Sequence, residues 1–496
     1  IIFFLEAILM SVAIMYPRRK KKYSDEVSEF VSSLDVDQNF VDAEILSGLV
    51  HVNALKEAGL VDEKEEASLK EALLEAHKKI KSGEFEFETG LEDIHPNVEK
   101  YVLEKCGITG GKLNTARSRE DMIATDIRMA SRKKIIDIEE KTIKLMETMM
   151  KKAWKYADVV MPIYSHQQHA QVGTFGHYIM SHVDAFIRDI ERLESAYAAV
   201  NKCPLGSFEG GGTSFQLDRI LIAEGLGFDG IIENTLDAVG SRDFLLEVTS
   251  SLAIAMNNIS KLAGDLIRFS SFEYGIITVG SEYTTSTVSM PQRKNPYVME
   301  LIRGKTAEVY GNMSKVFMIL KGLSSGYTRD LQEAHSMLFK SFEVVETSID
   351  MLRKVIDSMS LNDAKALGIC DKDFVCAADL VEMLVNKNIP YRNASAVVGT
   401  LLNECVKSKK RLSEIDAELV ESIVLRQLKF EIKISDGDLK NAVIPEQVIV
   451  GRKTKGSPNP KEIKRMIANR ESLINNKKKG IAKRQKVLKK VNSLLK

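Results

Sequence analysis

The sequence has little proline and little cysteine. Ten prolines in 496 residues leave long stretches in which nothing obliges a helix to break. Its five cysteines, Cys106, Cys203, Cys370, Cys376 and Cys405, are odd in number and form no C-x-x-C pair. That excludes a fully paired disulfide framework and fits reduced thiols in a cytoplasmic protein. No H-E-x-x-H motif is present, which removes the commonest helical zinc site. The apolar start, IIFFLEAILMSVAIM, is too short to span a bilayer comfortably and contains Glu6. Its cationic cluster follows the apolar run, whereas a secretory signal carries positive charge before it. Residues 1–14 therefore read as an upstream, non-native extension, with the working protein starting near Met15 and no membrane anchor.

What is present describes an ordinary globular chain, 44% hydrophobic and 28% charged, long enough for two to four domains. The net charge of +1 conceals an asymmetry, because residues 451–496 hold 16 Lys/Arg and two Asp/Glu. That tail has no aromatic side chain to stack on bases. It reads as a solvated helix face rather than a nucleic-acid surface.

Between Lys112 and Met161 there is neither Gly nor Pro, and Ile123, Ile127, Ile135, Ile138, Leu145, Met149 and Met150 recur at roughly helical spacing. Segments 241–274, 297–321 and 330–366 are nearly as free of breakers. Helices this long, with charges interspersed, point to a mainly α fold built on a bundle. Such elements bury little alone, so other subunits are expected to add helices to the bundle. A boundary is expected at "GIC" (368–370), followed by shorter helices.

Four stretches hold candidate chemistry. "MPIYSHQQHAQ" (161–171) sets His166 and His169 three apart, but zinc would need a third ligand that does not accompany them. They read as polar side chains lining a bundle, or as a proton-transfer histidine among amides that include Gln168. "NTARSREDMIATDIR" (114–128) opens the first long helix with hydroxyls and two arginines. A helix N-terminus so furnished suits an anion, although an ordinary cap with surface arginines fits equally. "EGGGTSF" (209–215) lacks the G-K-[ST] of a P-loop and is weak evidence for nucleotide binding. "TTSTVSMPQRKNP" (284–296) packs five hydroxyls directly before two cations.

Together these stretches resemble the argininosuccinate lyases of the fumarase/aspartase superfamily. The superfamily signature, roughly G-S-S-x-M-P-x-K-x-N-P, appears as "STVSMPQRKNP" (286–296). More specific are "ARSREDMIATDIR" (116–128), "MPIYSHQQHAQVGTFGHY" (161–178), "TLDAVGSRDF" (235–244) and "GYTRDLQEAH" (326–335). Weaker matches are "GLEDIHPNVE" (90–99), "NIPYRNASAVVG" (388–399) and "RKTKGSPNP" (452–460), so the likeness runs collinearly from about Ser32 to Lys461.

The resemblance implies a three-domain subunit, with limits set here at 15–120, 121–367 and 368–496. It also implies a homotetramer whose active sites each draw motifs from three subunits. The expected reaction is β-elimination of fumarate from argininosuccinate, releasing L-arginine, with no metal or organic cofactor. Adenylosuccinate lyase chemistry, or a catalytically impaired paralogue with a structural role, is the alternative.

Family roles carry over position by position. Thr287 stands where the family has its basic Ser, with Val288 next; a slipped register would present Ser286 or Ser289 instead. Arg293, followed by Lys294, takes the place of a family Lys, and Asn295 matches an Asn that contacts substrate. His166 falls on the proton-donating histidine and Glu300 on its paired carboxylate. Ser33, Ser165, Gln168, Arg119, Tyr327 and Gln332 align with substrate-binding positions. Glu120 replaces a family Asn there, and His335 replaces a Lys. A negative side chain at 120 disfavours a dicarboxylate unless it is paired or turned away.

Overall fold

The computed structural model describes residues 23–496; the proposed extension at 1–14 lies outside the described residues. After two short helices (Asp25–Val31 and Leu34–Asp37), the first long ones are α1 (Val41–Glu57), α2 (Glu63–Ser82) and α3 (Ile94–Cys106). Helix α2 starts at a reciprocal capping box between Asp62 and Glu65 and stops at Gly83, whose φ of +77° suits glycine. Asp93 caps α3 by accepting the His95 backbone N–H.

The expected breaker-free stretch forms α4 (Arg119–Lys155), 37 residues long and so about 55 Å from end to end. Ser118 and Asp121 supply its capping box. All seven residues expected on its apolar face are buried, each worth about 1.5–3 kcal/mol of transfer free energy. Helices α5 (Phe175–Val200), α6 (Asp243–Ser270), α7 (Tyr297–Leu320) and α8 (Asp330–Ser358) complete the bundle. Within it α4 packs on α5 and α8, and α6 packs on α5, α7 and α8.

Two antiparallel hairpins interrupt the helices, and a third, shorter pairing joins Ile277–Thr278 to Ser360–Leu361. Strands β1 (Val160–Ser165) and β2 (Gln168–Thr174) form a hairpin bulged between Ile163 and Tyr164. Strands β3 (Thr285–Thr287) and β4 (Met290–Asn295) form a shorter one. A continuous apolar core joins α1–α3 to the bundle. A second core gathers helices between 363 and 451, and Val160 and Val172 at the root of the first hairpin belong to it.

The basic tail is helix α9 (Pro460–Asn492). Ile463, Met466, Ile467, Ile474, Ile481 and Val491 enter the bundle core, while its cations meet carboxylates of α4 and α5. Arg470 grips Asp184 (2.8 and 3.0 Å), Lys477 reaches Glu194 (2.5 Å) and Arg484 reaches Glu139 (2.6 Å). Its polar face is thus partly docked rather than wholly solvated. Among the described residues, no helix is long and apolar enough to cross a membrane.

Candidate active site

The expected site residues lie in three groups. The first surrounds Arg119, the opening residue of α4. Its Nε pairs with Asp93, its Nη1 donates to the Tyr327 hydroxyl (2.9 Å) and its Nη2 to Gln332 Oε1 (3.3 Å). Gln332 and Arg329 both donate to the Val31 carbonyl, and Arg329 also holds Glu92 at 2.8 Å. Ser33 bonds through its backbone to Glu92 (2.9 Å) and through its hydroxyl to Asp37 (3.1 Å). Segments distant in sequence therefore converge on one guanidinium.

A close backbone approach holds this group together. A Cβ on Gly240 would lie 2.8 Å from backbone atoms of Gly326, the residue before Tyr327, so only glycine lets these loops touch. His335 is buried beneath. Burial pushes its proton affinity well below the ordinary range, and the Arg242 and Arg119 charges push it further. His335 is therefore neutral where the family motif carries a cation.

Glu120 accepts a hydrogen bond from Ser118 Oγ at 2.6 Å. Glu209, from the glycine-rich loop, has its carboxyl raised by burial and then by the Glu120 charge. The added negative charge at 120 is thus engaged by its own helix cap and faces a carboxyl that favours its proton.

The second group is the tip of the β1–β2 hairpin. His166 and Gln167 span its two-residue turn with φ of +54° and +63°, the pair of left-handed conformations required by a type I′ turn. Neither is glycine, so the turn carries local strain of the kind that accumulates at functional positions. Both line a cavity of about 500 Å³ with Tyr164, His177, Tyr178 and Lys261. Ser165 and Gln168 face each other across the closing pair. His169 Nδ1 lies 2.5 Å from Asp373 Oδ2, so the two histidines of the motif are committed to different surroundings.

The third group is the β3–β4 ribbon and the start of α7. Thr287 Oγ1 lies 3.4 Å from Ser289 Oγ, and Val288 between them is fully exposed. Arg293 Nε donates to Asn295 Oδ1 at 3.0 Å, fixing the cation beside the buried Asn295. Lys294 and Glu300 are exposed. Among the described residues, no hydrogen bond or ion pair joins the three groups, and His166 does not meet Glu300.

Sequence reasoning passed over Asp93, the partner that orients Arg119. Its signal was an Asp directly before an apolar-periodic helix, the mark of an N-cap. The one described trio with metal-like spacing, Glu44, His95 and Asp126, is buried beside the Arg119 group.

A family model described as "Lyase" matches residues 19–311, and one described as "Argininosuccinate lyase C-terminal" matches 374–449. Argininosuccinate lyase of Acetivibrio thermocellus is 35% identical over 439 residues, spanning 87% of this chain and 96% of that protein.

The chain belongs to the argininosuccinate lyase family.

A second family member, from Oceanobacillus iheyensis, is 34% identical and spans 93% of this chain and 99% of its own length. Among solved structures, EDDS lyase in complex with formate superposes with a TM-score of 0.84 at 24% identity, covering 94% of this chain and 92% of that one. Class II fumarase from Schistosoma mansoni gives 0.68 at 14%, over 82% and 90%. These likenesses bear on the fold, the long-helix bundle of the fumarase/aspartase superfamily, and the C-terminal match distinguishes the family within it.

Proposed function

We propose that this protein cleaves argininosuccinate to L-arginine and fumarate by β-elimination, in arginine biosynthesis in the cytoplasm. The observation that carries the site assignment is the convergence of the Tyr327 hydroxyl and the Gln332 amide on the Arg119 guanidinium, a group suited to a carboxylate. In this reading Thr287 Oγ1, its own proton passed to His166, takes a proton from the carbon beside a carboxylate. The electron pair forms the new double bond of fumarate as the carbon–nitrogen bond breaks, and His166 returns a proton to the leaving nitrogen.

Arg293, Lys294 and Asn295 stabilise the dianion formed on the way, because fixed positive charge and N–H donors need no reorganisation as charge develops. Glu300 orients His166 and raises its basicity. Since the three groups stand apart in one subunit, a complete site requires a homotetramer whose neighbours bring them together. Support comes from α6 and α7, which leave Ile254, Leu301, Tyr310, Phe317 and Met318 exposed along the bundle, a face larger than isolated surface apolars explain.

Fumarate absorbance should rise when purified protein meets argininosuccinate and remain flat with adenylosuccinate. The reverse preference would overturn the substrate. Light scattering should give a particle of about four subunits; a stable, active 55.4 kDa monomer would overturn the shared site.

A further inference from the structure

Beneath the Arg119 group lies a buried ion cluster to which no role has been given. Glu44 on α1, His95 in the first turn of α3 and Asp126 on α4 are each at most 3% exposed. Glu44 Oε2 is 2.7 Å from His95 Nδ1, and Asp126 Oδ2 is 3.8 Å from the same atom. Burial works against a charge on His95, yet the adjoining Glu44 carboxylate, with Asp93 and Asp126, holds its proton up to about 9. The Phe40 ring stacks near the imidazole at 6.3 Å and also touches Phe339 of α8.

Desolvating three ionisable groups is expensive, and an apolar trio of equal volume would join the helices at least as firmly. What an apolar trio lacks is direction. An imidazolium bonded through Nδ1 fixes the rotation of α3 about its axis as well as its distance from α1 and α4.

That rotation matters because of what stands two residues earlier. Asp93 accepts the His95 backbone N–H through Oδ1 and holds Arg119 through Oδ2. Arg119 and Asp126 lie on the same helix, α4. At the α3–α4 junction Asp93 is tied to Arg119 at the site, and beneath it His95, bonded to Glu44, faces Asp126 across 3.8 Å; burial and the Glu44 charge push the Asp126 carboxyl well up. A turn of α3 that broke the His95–Glu44 bond would swing Asp93 and release the guanidinium.

We propose that His95, bonded to Glu44 and facing Asp126, is a positioning residue that sets the start of α3 so that Asp93 aims Arg119 at its ligand. A metal ion is the competing use of the trio. Ligand atoms on one ion sit about 2.0–2.2 Å from it, but Glu44 and His95 here bond directly, which fills the place an ion would take.

The proposal rests on the reading of Arg119 as a substrate-carboxylate group, and the test separates the two. His95→Gln should raise KM for argininosuccinate about 10-fold, the loss of one charge-assisted contact, with a smaller change in kcat. Glu44→Gln should do the same. Combined with Asp93→Asn, His95→Gln should add less than about 2-fold to the KM of Asp93→Asn alone, because both act through one guanidinium. Glu139→Gln, which replaces the buried carboxylate of an ion pair far from this junction, should leave KM unchanged whatever it does to the melting temperature.

Multiplying losses in the double variant, or a fallen melting temperature with KM intact in both His95→Gln and Glu44→Gln, would overturn the clamp. So would a stoichiometric divalent metal in the purified protein that His95→Gln releases. If the wild type binds fumarate by calorimetry without turning over argininosuccinate, the substrate reading fails alone. Fumarate affinity in the same variants, expected about 10-fold weaker, then decides the clamp. Absence of both turnover and fumarate binding overturns both.

Discussion

Replacing Arg484 of α9 by Met should destabilise the protein by about 2–3 kcal/mol at pH 8 and by about 1–2 kcal/mol near pH 5.5. Its guanidinium makes a two-point contact with Glu139, at 3.2 and 2.6 Å, and lies over the Tyr197 ring at 4.6 Å. Glu139 itself is fully buried. Burial pushes its carboxyl up from 4.5 to about 7, even though Arg484 pulls it down. A folded-state value above the unfolded one means the stabilising form is the protonated one. That contribution, about 3 kcal/mol, is full below 4.5 and is lost as pH rises through 7. Removing the guanidinium raises the Glu139 carboxyl further, so at pH 8 it keeps a proton that the wild type has given up, which costs about 1.4 kcal/mol beyond the lost packing. Near pH 5.5 Glu139 keeps its proton in both proteins, and the loss shrinks to packing and one hydrogen bond, about 1–2 kcal/mol. Denaturant unfolding at one fixed protomer concentration measures both values. Adding Glu139→Gln should remove the extra loss at pH 8 and leave the packing loss. Equal losses at the two pH values, or less than about 1 kcal/mol at pH 8, would refute the pairing and with it the docking of α9.

Thr287→Ala should lower kcat by at least about 100-fold with KM nearly unchanged, as for loss of a general base, and Thr287→Ser should retain or raise activity. A dead Ser289→Ala with an active Thr287→Ala would move the base by two residues. Gly240→Ala, whose new methyl meets Gly326 backbone at 2.8 Å, should cost about 1–3 kcal/mol and raise KM by displacing Tyr327; unchanged kinetics would separate that contact from the site. His95, raised from 6.5 to about 9, should contribute stability fully below pH 6.5 and lose it as pH rises through 9. Comparing unfolding of wild type and His95→Gln across that window checks the sign.

The long helices were legible because nothing interrupts them, and the buried face of α4 followed from its periodicity. The tail shows the limit of composition. Ile463, Ile467, Ile474 and Ile481 form a helical seam, yet the surrounding lysines suggest solvation, and the docking depends on Asp184, Glu194 and Glu139 contributed by other helices. At the site, motif likeness located Arg119, Tyr327 and Gln332, while their mutual hydrogen bonds span more than 200 residues and leave no local trace. The surroundings of Glu120 were equally hidden, because nothing near it announces Glu209. Asp93 could have been found, since N-caps have a local signature.

The β1–β2 hairpin behaves as an outrigger. Its root residues Val160 and Val172 are seated in the core formed by helices between 363 and 451, and His166 rides on the tip, about 20 Å along the ribbon by strand rise. A small tilt at the root becomes a larger displacement at the imidazole, in proportion to the length of the arm. The abutments against such tilting are Asp373, which holds His169, and the helices Asp363–Lys372 and Pro445–Gly451 packed along the strands. Residues with no chemistry of their own thereby set the aim of His166, the proposed proton donor. Selection on the C-terminal region would then act through angular tolerance, and surface-neutral changes there would surface as slow enzymes rather than unstable ones.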